Sequence, residues 1–177
     1  YALRVNNKRS PYKGVISLPG IIEAENFDKG GEESTFHDKD ALDQGGTNYR
    51  TDNEGMDIIA TTDGGYAIGN TTPKEWMEYT VNVTDPGLYA YEATVSSTVT
   101  GSTFYIQLVN KDGTLTNLCK VTIPNTKNKN TYKVVTGNLG ANLEAGEQIL
   151  RFTINTALCN IDKVELKCIQ SNGIGAI

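Results

Sequence analysis

Glu23 and Glu25, in the run IIEAENF at 21–27, stand two residues apart, so on an extended strand both carboxylates project to the same side. Like charges held this close repel each other unless a cation or a basic partner sits between them. Hard oxygen ligands on a rigid strand suit Ca²⁺, with backbone carbonyls and one more carboxylate to complete the shell. Asp162 is the candidate third ligand, provided the fold brings it near. On residue chemistry alone, a solvated acidic face is the simpler reading. The pair could also mimic a glycosidase acid and base, since same-face strand neighbours lie ~7 Å apart. Nothing else in the chain builds a deep cleft around them. A nucleophilic triad would rest wholly on His37, the only histidine, and no Gly-x-Ser-x-Gly occurs. Catalysis is therefore the weaker hypothesis, and a small glycosidase is the least favoured reading.

A second kind of chemistry needs no reaction. In the run WMEYTVNV at Trp76–Val83, alternation sends Met77, Tyr79, Val81 and Val83 inward and Trp76, Glu78, Thr80 and Asn82 outward. A large indole among polar neighbours is either covered by a loop or open to stack on a ligand, and the strand alone leaves both readings standing. At 103–110 the pattern repeats, with Tyr105 and Gln107 opposite Phe104, Ile106 and Leu108. A sheet face offering Trp, Tyr, Glu and Gln can hold a sugar, because rings meet C–H faces and polar tips meet hydroxyls. An ordinary solvated outer face is the alternative.

The elements that must position these groups are strands. Helical periodicity is scarce, while short alternating runs bounded by Gly, Asn, Asp or Pro recur at 21–27, 57–61, 76–83, 87–96, 103–110, 115–123, 132–139, 148–155 and 160–168. Nine such strands predict an all-β chain, a jelly-roll β-sandwich of two antiparallel sheets. The expected domain is 21–168, with 1–20 as a lead-in or linker packed on it and 169–177 as a tail. A long polar stretch at 29–47 is the main loop. The 177 residues suffice for one core without staples.

Charge narrows the partners. With 21 acidic against 16 basic side chains there is no basic stripe for phosphates, which argues against nucleic acid and leaves a neutral ligand or a cation. No apolar run approaches a membrane span, and the start, YALRVNNKRS, lacks a signal-peptide core, so the chain reads as a mature fragment. Of the three cysteines at least one is unpaired. Cys159 and Cys168 flank an extended run and would lie ~30 Å apart, so any bridge uses Cys119; otherwise all three are small buried hydrophobes.

Taken together, LPGIIEAENFDKGGEE, FHDKDALDQGGTNYRTDNEGMDI, GGYAIGN with EWMEYTVNV, PGLYAYEATVSS and NIDKVEL resemble the family 6 carbohydrate-binding modules, in order over residues 11–168. The lead-in SPYKGVISLPG also looks like the segment that joins such modules to a preceding domain. The resemblance implies a jelly roll with a structural Ca²⁺ on Glu23, Glu25 and Asp162, plus a backbone carbonyl near Arg50. It implies a polysaccharide or oligosaccharide ligand, a covalently attached catalytic domain, and a secreted or cell-surface setting. Two sugar sites are implied. At the loop edge, Asn160 matches the family's hydrogen-bonding Asn, but Asn70 and Lys129 stand where sandwiching rings belong. That edge is then inactive, or Phe36, Tyr49 or another ring replaces them. On the sheet face Trp76 matches a known platform, which tips the expectation towards exposure. A structural spacer that has lost sugar binding is the competing reading.

Overall fold

A computed structural model describes residues 9–40, 42–52 and 55–172. Residues 1–8 of the expected lead-in and 173–177 of the expected tail lie outside the described residues. Twelve strands form two six-stranded sheets. The first contains β1 (Ile16–Leu18), β3 (Phe36–His37), β6 (Trp76–Val83), β8 (Ser102–Val109), β9 (Leu115–Ile123) and β11 (Gly146–Ile154), in the order β1-β6-β11-β8-β9 with β3 also on β6. The second contains β2 (Gly20–Glu23), β4 (Ile58–Ala60), β5 (Tyr66–Ile68), β7 (Gly87–Ser96), β10 (Lys133–Asn138) and β12 (Asn160–Ser171), in the order β10-β7-β12-β5-β4 with β2 on β12.

Alternation builds the core between the sheets as expected. Met77, Tyr79, Val81 and Val83 of β6 face Tyr89, Ala93 and Val95 of β7 and Ile161, Val164 and Leu166 of β12, all of them buried. Phe152 packs its ring against Tyr79 (centroids 4.7 Å apart) and Phe104 (5.8 Å). The Tyr79 hydroxyl, buried with its ring, donates to the carbonyl of Ala24 (2.7 Å) and so loses no hydrogen bond on burial. Each such large apolar side chain contributes about 1.5–3 kcal/mol.

Two details depart from the expected sandwich and both bear on function. The run 21–27 is not one strand: β2 ends at Glu23 and a 3₁₀ turn covers Ala24–Asn26. Arg50 holds this turn, its buried guanidinium donating to the carbonyls of Glu25 (3.2 Å) and Phe27 (2.5 Å). Glu23 and Glu25 therefore leave the chain from different elements, not from one strand face. The lead-in, moreover, belongs to the sheet. β1 pairs in parallel with β6 at Val81–Val83, the one parallel pair among the named strands. Farther along the same edge Asp28 N donates to Glu78 O (2.9 Å), Glu78 N donates to Thr35 O (2.9 Å), and β3 pairs with Trp76 and Met77. Three short segments thus cover the edge of β6, which would otherwise offer unpaired amides.

Candidate functional site

The outer face of the first sheet is arranged in cross-strand rows set by register. One row runs His37, Trp76, Thr153, Tyr105, Lys120 through β3, β6, β11, β8 and β9. The next runs Glu78, Arg151, Gln107, Asn117. Trp76, Thr153 and Tyr105 are half-buried, and Lys120 and Asn117 are exposed. The structure therefore brings Trp76, Glu78, Tyr105 and Gln107 together on one face, as alternation predicts.

Alternation does not predict how the second row is occupied. Glu78 is 2% exposed. It accepts from Arg151 Nε (2.8 Å) and Nη2 (2.6 Å) on one oxygen and from Arg9 on the other. Arg9 also donates to Asp28 (2.9 Å) and to the carbonyl of Ser34 (2.8 Å), and Asp28 in turn accepts from the amide and hydroxyl of Thr80. Glu78 is thus a satisfied internal ion, not the exposed sugar ligand expected from the strand pattern. Arg151 does a second job, its guanidinium lying 3.8 Å from the Trp76 ring centroid. A cation on the π-face fixes the indole and takes one of its two faces, which leaves at most the other for a ligand. Gln107 is 8% exposed and held from both ends: its oxygen accepts from Thr153 Oγ1 (2.6 Å) and its nitrogen donates to Asn117 Oδ1 (2.7 Å). Arg9, Arg151, Thr153 and Asn117 are absent from the residues that sequence reasoning selects. Arg151 and Thr153 share the outward phase of their strand and were legible to that extent. Arg9 lies in a segment with no periodic signal.

The loop-edge candidates are largely engaged by other parts of the fold. Asn160 is 7% exposed, donates to Ser96 Oγ (3.1 Å), and Ser96 donates to the carbonyl of Lys129 (2.6 Å). The Asn160 amide is thus tied to the strand beside it through Ser96. Asn70 is exposed in the left-handed region (φ 50°). Phe36 is 3% exposed, edge-on to Phe27 in the core, and offers solvent no ring. Tyr49 is half-buried, stacked on Tyr66 (4.2 Å), with its hydroxyl donating to Asn26 Oδ1 (2.7 Å). Both rings are thus held by packing or hydrogen bonds within the fold.

An acidic centre forms at the other sheet. Glu23 ends β2, Glu25 sits in the 3₁₀ turn, and Asp162 occupies the bulge where β12 shifts register between Ile161 and Lys163. A bulge aims one extra side chain without disturbing the rest of the strand. Glu25 is 6% exposed and its Oε2 is buried with no hydrogen-bond partner. Burial first, then the charges of Glu23 and Asp162, push its carboxyl up to about 8 against the lowering from its own backbone amide. Burial likewise raises Glu23, with Asp162 and Asp63 adding to it and Lys163 opposing. Asp162 is raised by burial and by Asp63, again against Lys163. An orphaned buried oxygen among coupled carboxylates fits a hard cation, which would stabilise the charged forms that burial disfavours. Their oxygens do not all lie within 4.8 Å of one another, so backbone carbonyls or water must complete any shell. Arg50 contributes by its side chain, which holds the turn between the rings of Tyr12 (3.9 Å) and Phe27 (4.0 Å). A cavity of about 350 Å³ opens beside the centre, lined by Thr61, Asp63, Tyr132, Asp162 and Lys163 among others. All three cysteines are free, Cys159 buried and the other two half-buried.

A two-sheet jelly roll with ring-bearing rows on one sheet and an acidic centre on the other defines a binding module of the sandwich class. The sequence pattern of the family described as carbohydrate binding module (family 6) matches residues 46–168, and the chain belongs to that family. Its function is carbohydrate binding. Among solved structures, a module from Clostridium stercorarium in complex with cellobiose is 21% identical, with a TM-score of 0.64 over 88% of this chain and 98% of that one. The C-terminal module of a marine laminarinase from Zobellia galactanivorans is 23% identical, with a TM-score of 0.62 over 84% and 98%. A family 43 arabinoxylan arabinofuranohydrolase from Bacillus subtilis is 17% identical, with a TM-score of 0.59 over 90% of this chain and 30% of that one. These likenesses show the fold. No curated protein sequence matches the chain. No helix among the described residues is long and apolar enough to cross a membrane.

Proposed function

We propose that this chain is a non-catalytic module of a secreted polysaccharide-acting enzyme, that its glycan lies along the outer face of the first sheet, and that Glu23, Glu25 and Asp162 hold a structural Ca²⁺. The observation that carries the sugar face is the row holding Trp76, Thr153 and Tyr105, backed by a second row whose amides are fixed. Fixed polar groups and rings recognise hydroxyls and C–H faces without a large ordering cost. At the loop edge Asn160 is engaged by Ser96, and Asn70 and Lys129 stand where rings belong, which supports the sheet face over it. The fold's presence within the longer arabinofuranohydrolase supports an attached enzyme. The orphaned Glu25 oxygen supports the cation.

Retention on insoluble polysaccharides and a glycan array test the first part. Trp76→Ala should weaken retention by up to about tenfold with its melting temperature little changed; unchanged retention would move the site to the loop edge. A second reading, a spacer that no longer binds sugar, is favoured by one observation, that Arg151 occupies a face of the indole. A chain retained by no glycan in the array would establish it, and release of reducing sugar would establish catalysis instead.

A further inference from the structure

The loop before β3, together with His37 at the end of the Trp76 row, carries a group of side chains to which neither the proposed sugar contacts nor the acidic centre gives a role. Glu32, Glu33 and His37 offer two carboxylates and an imidazole whose ligand atoms all lie within 4.8 Å of one another, the one such group among the described residues. Backbone bonds bring them together. Ser34 N and Thr35 N donate to Gly31 O (3.1 Å each) and Glu33 N donates to Phe36 O (2.7 Å). The resulting tight turn folds Glu32 and Glu33 back over β3. His37 is fixed in β3 opposite Trp76, and Glu32 is anchored because its Oε2 accepts from the amide of Asp38 (3.1 Å).

We propose that Glu32, Glu33 and His37 bind a divalent transition-metal ion of the zinc class, at a site separate from the acidic centre and one strand from Trp76. Glu32 Oε1 and Glu33 Oε1 (2.8 Å) both approach the same ring nitrogen, Nδ1 of His37. That nitrogen carries at most one hydrogen, so it cannot give each carboxylate a proton of its own. A single divalent ion in the same place satisfies all three donors. An imidazole with two carboxylates selects zinc and its neighbours, whereas Ca²⁺ prefers an all-oxygen shell. Three protein ligands leave a fourth tetrahedral position open to water or to an external oxygen.

The chain's single histidine makes the test clean. Untagged protein saturated with Ca²⁺ is titrated with Zn²⁺ by calorimetry while the imidazole resonances of His37 are followed by NMR. One ion per chain, with the His37 signals shifting in step with the heat, is expected. His37→Ala should abolish that binding, and Glu32→Gln or Glu33→Gln should weaken it by at least about tenfold. A variant with Cys119 and Cys168 both changed to Ser should bind as the parent does. Heat that survives His37→Ala, or a weak many-site isotherm that leaves the imidazole unmoved, means adventitious metal only and overturns the proposal. The melting temperature of each variant in calcium distinguishes a lost ligand from a lost fold. The outcome is independent of whether the sheet face binds sugar.

Discussion

Glu78, on the first sheet, and Glu25, in the turn that follows β2 of the second, are the same residue type at nearly the same burial, and their surroundings treat them in opposite ways. Glu78 receives two arginines, and its carboxylate is part of the wall. Glu25 receives no side-chain cation on its buried Oε2, and its carboxyl is pushed up to about 8. A buried charge with partners reads as architecture; one without partners reads as a place for something else. Burial and residue type alone would have treated the two as equivalent.

The comparison breaks most visibly at Glu78. Glu78→Gln should cost about 3 kcal/mol in urea unfolding, because it leaves partly buried Arg151 without its carboxylate while Arg9 keeps Asp28, and calcium should not change that figure. A cost below about 1 kcal/mol would mean that the pair is no more than a surface contact. Glu25 should respond to calcium instead. Chelation should lower the melting temperature by roughly 5–10 °C, the equivalent of about 2.7 kcal/mol of linkage at a hundredfold excess over Kd, and Glu25→Gln should melt identically with and without the ion. Indifference of the parent to chelation would refute the calcium.

The sign of the pH dependence sharpens the contrast. Without cation, folded Glu25 binds a proton more tightly than the unfolded chain, whose carboxyl has the ordinary value of 4.5. Its folded state is therefore favoured in acid, and stability should fall as pH rises from about 4.5 to about 8. Asp38, raised to about 7 mainly by burial, adds in the same direction. Calcium, or Glu25→Gln, should remove about half of that slope in thermal melts across the window and leave the part due to Asp38. On the sugar face the effects are smaller. Trp76→Ala should weaken glycan binding up to about tenfold, in line with ~0.5–1.5 kcal/mol for ring stacking. Arg151→Lys keeps the charge and loses both the fork on Glu78 and the flat cation under the indole, so it should cost about 1 kcal/mol of stability and a few-fold in binding.

Much of this was legible in the chain. Period-two alternation gave the limits of β6, β7 and β9 as observed, and it sorted the faces of β6 and β8 correctly, because each of those two is long enough to show a phase. β1, β3 and β5 are two or three residues long and show none; backbone pairing along a neighbour makes them strands, and no side-chain pattern records that. The same limit explains Glu78. Alternation says which way a side chain leaves the sheet, but cover comes from Arg9, 69 residues away. Glu23 and Glu25 were paired for a reason the structure does not support, a shared strand face. What couples them is a turn pinned by Tyr79 and Arg50 from elsewhere in the fold.

The covering of β6 has a consequence for how such a module is cut out and moved between proteins. The family pattern begins at residue 46, yet the segments that close that edge, one of the two arginines on Glu78, and two of the three acidic donors all lie between residues 9 and 37. A gene fusion or excision cut at the edge of the recognisable pattern would sever a sheet, unbalance a buried charge and remove two of three clustered carboxylates at one stroke. The unit that recombination can move intact is therefore larger than the unit that sequence similarity marks.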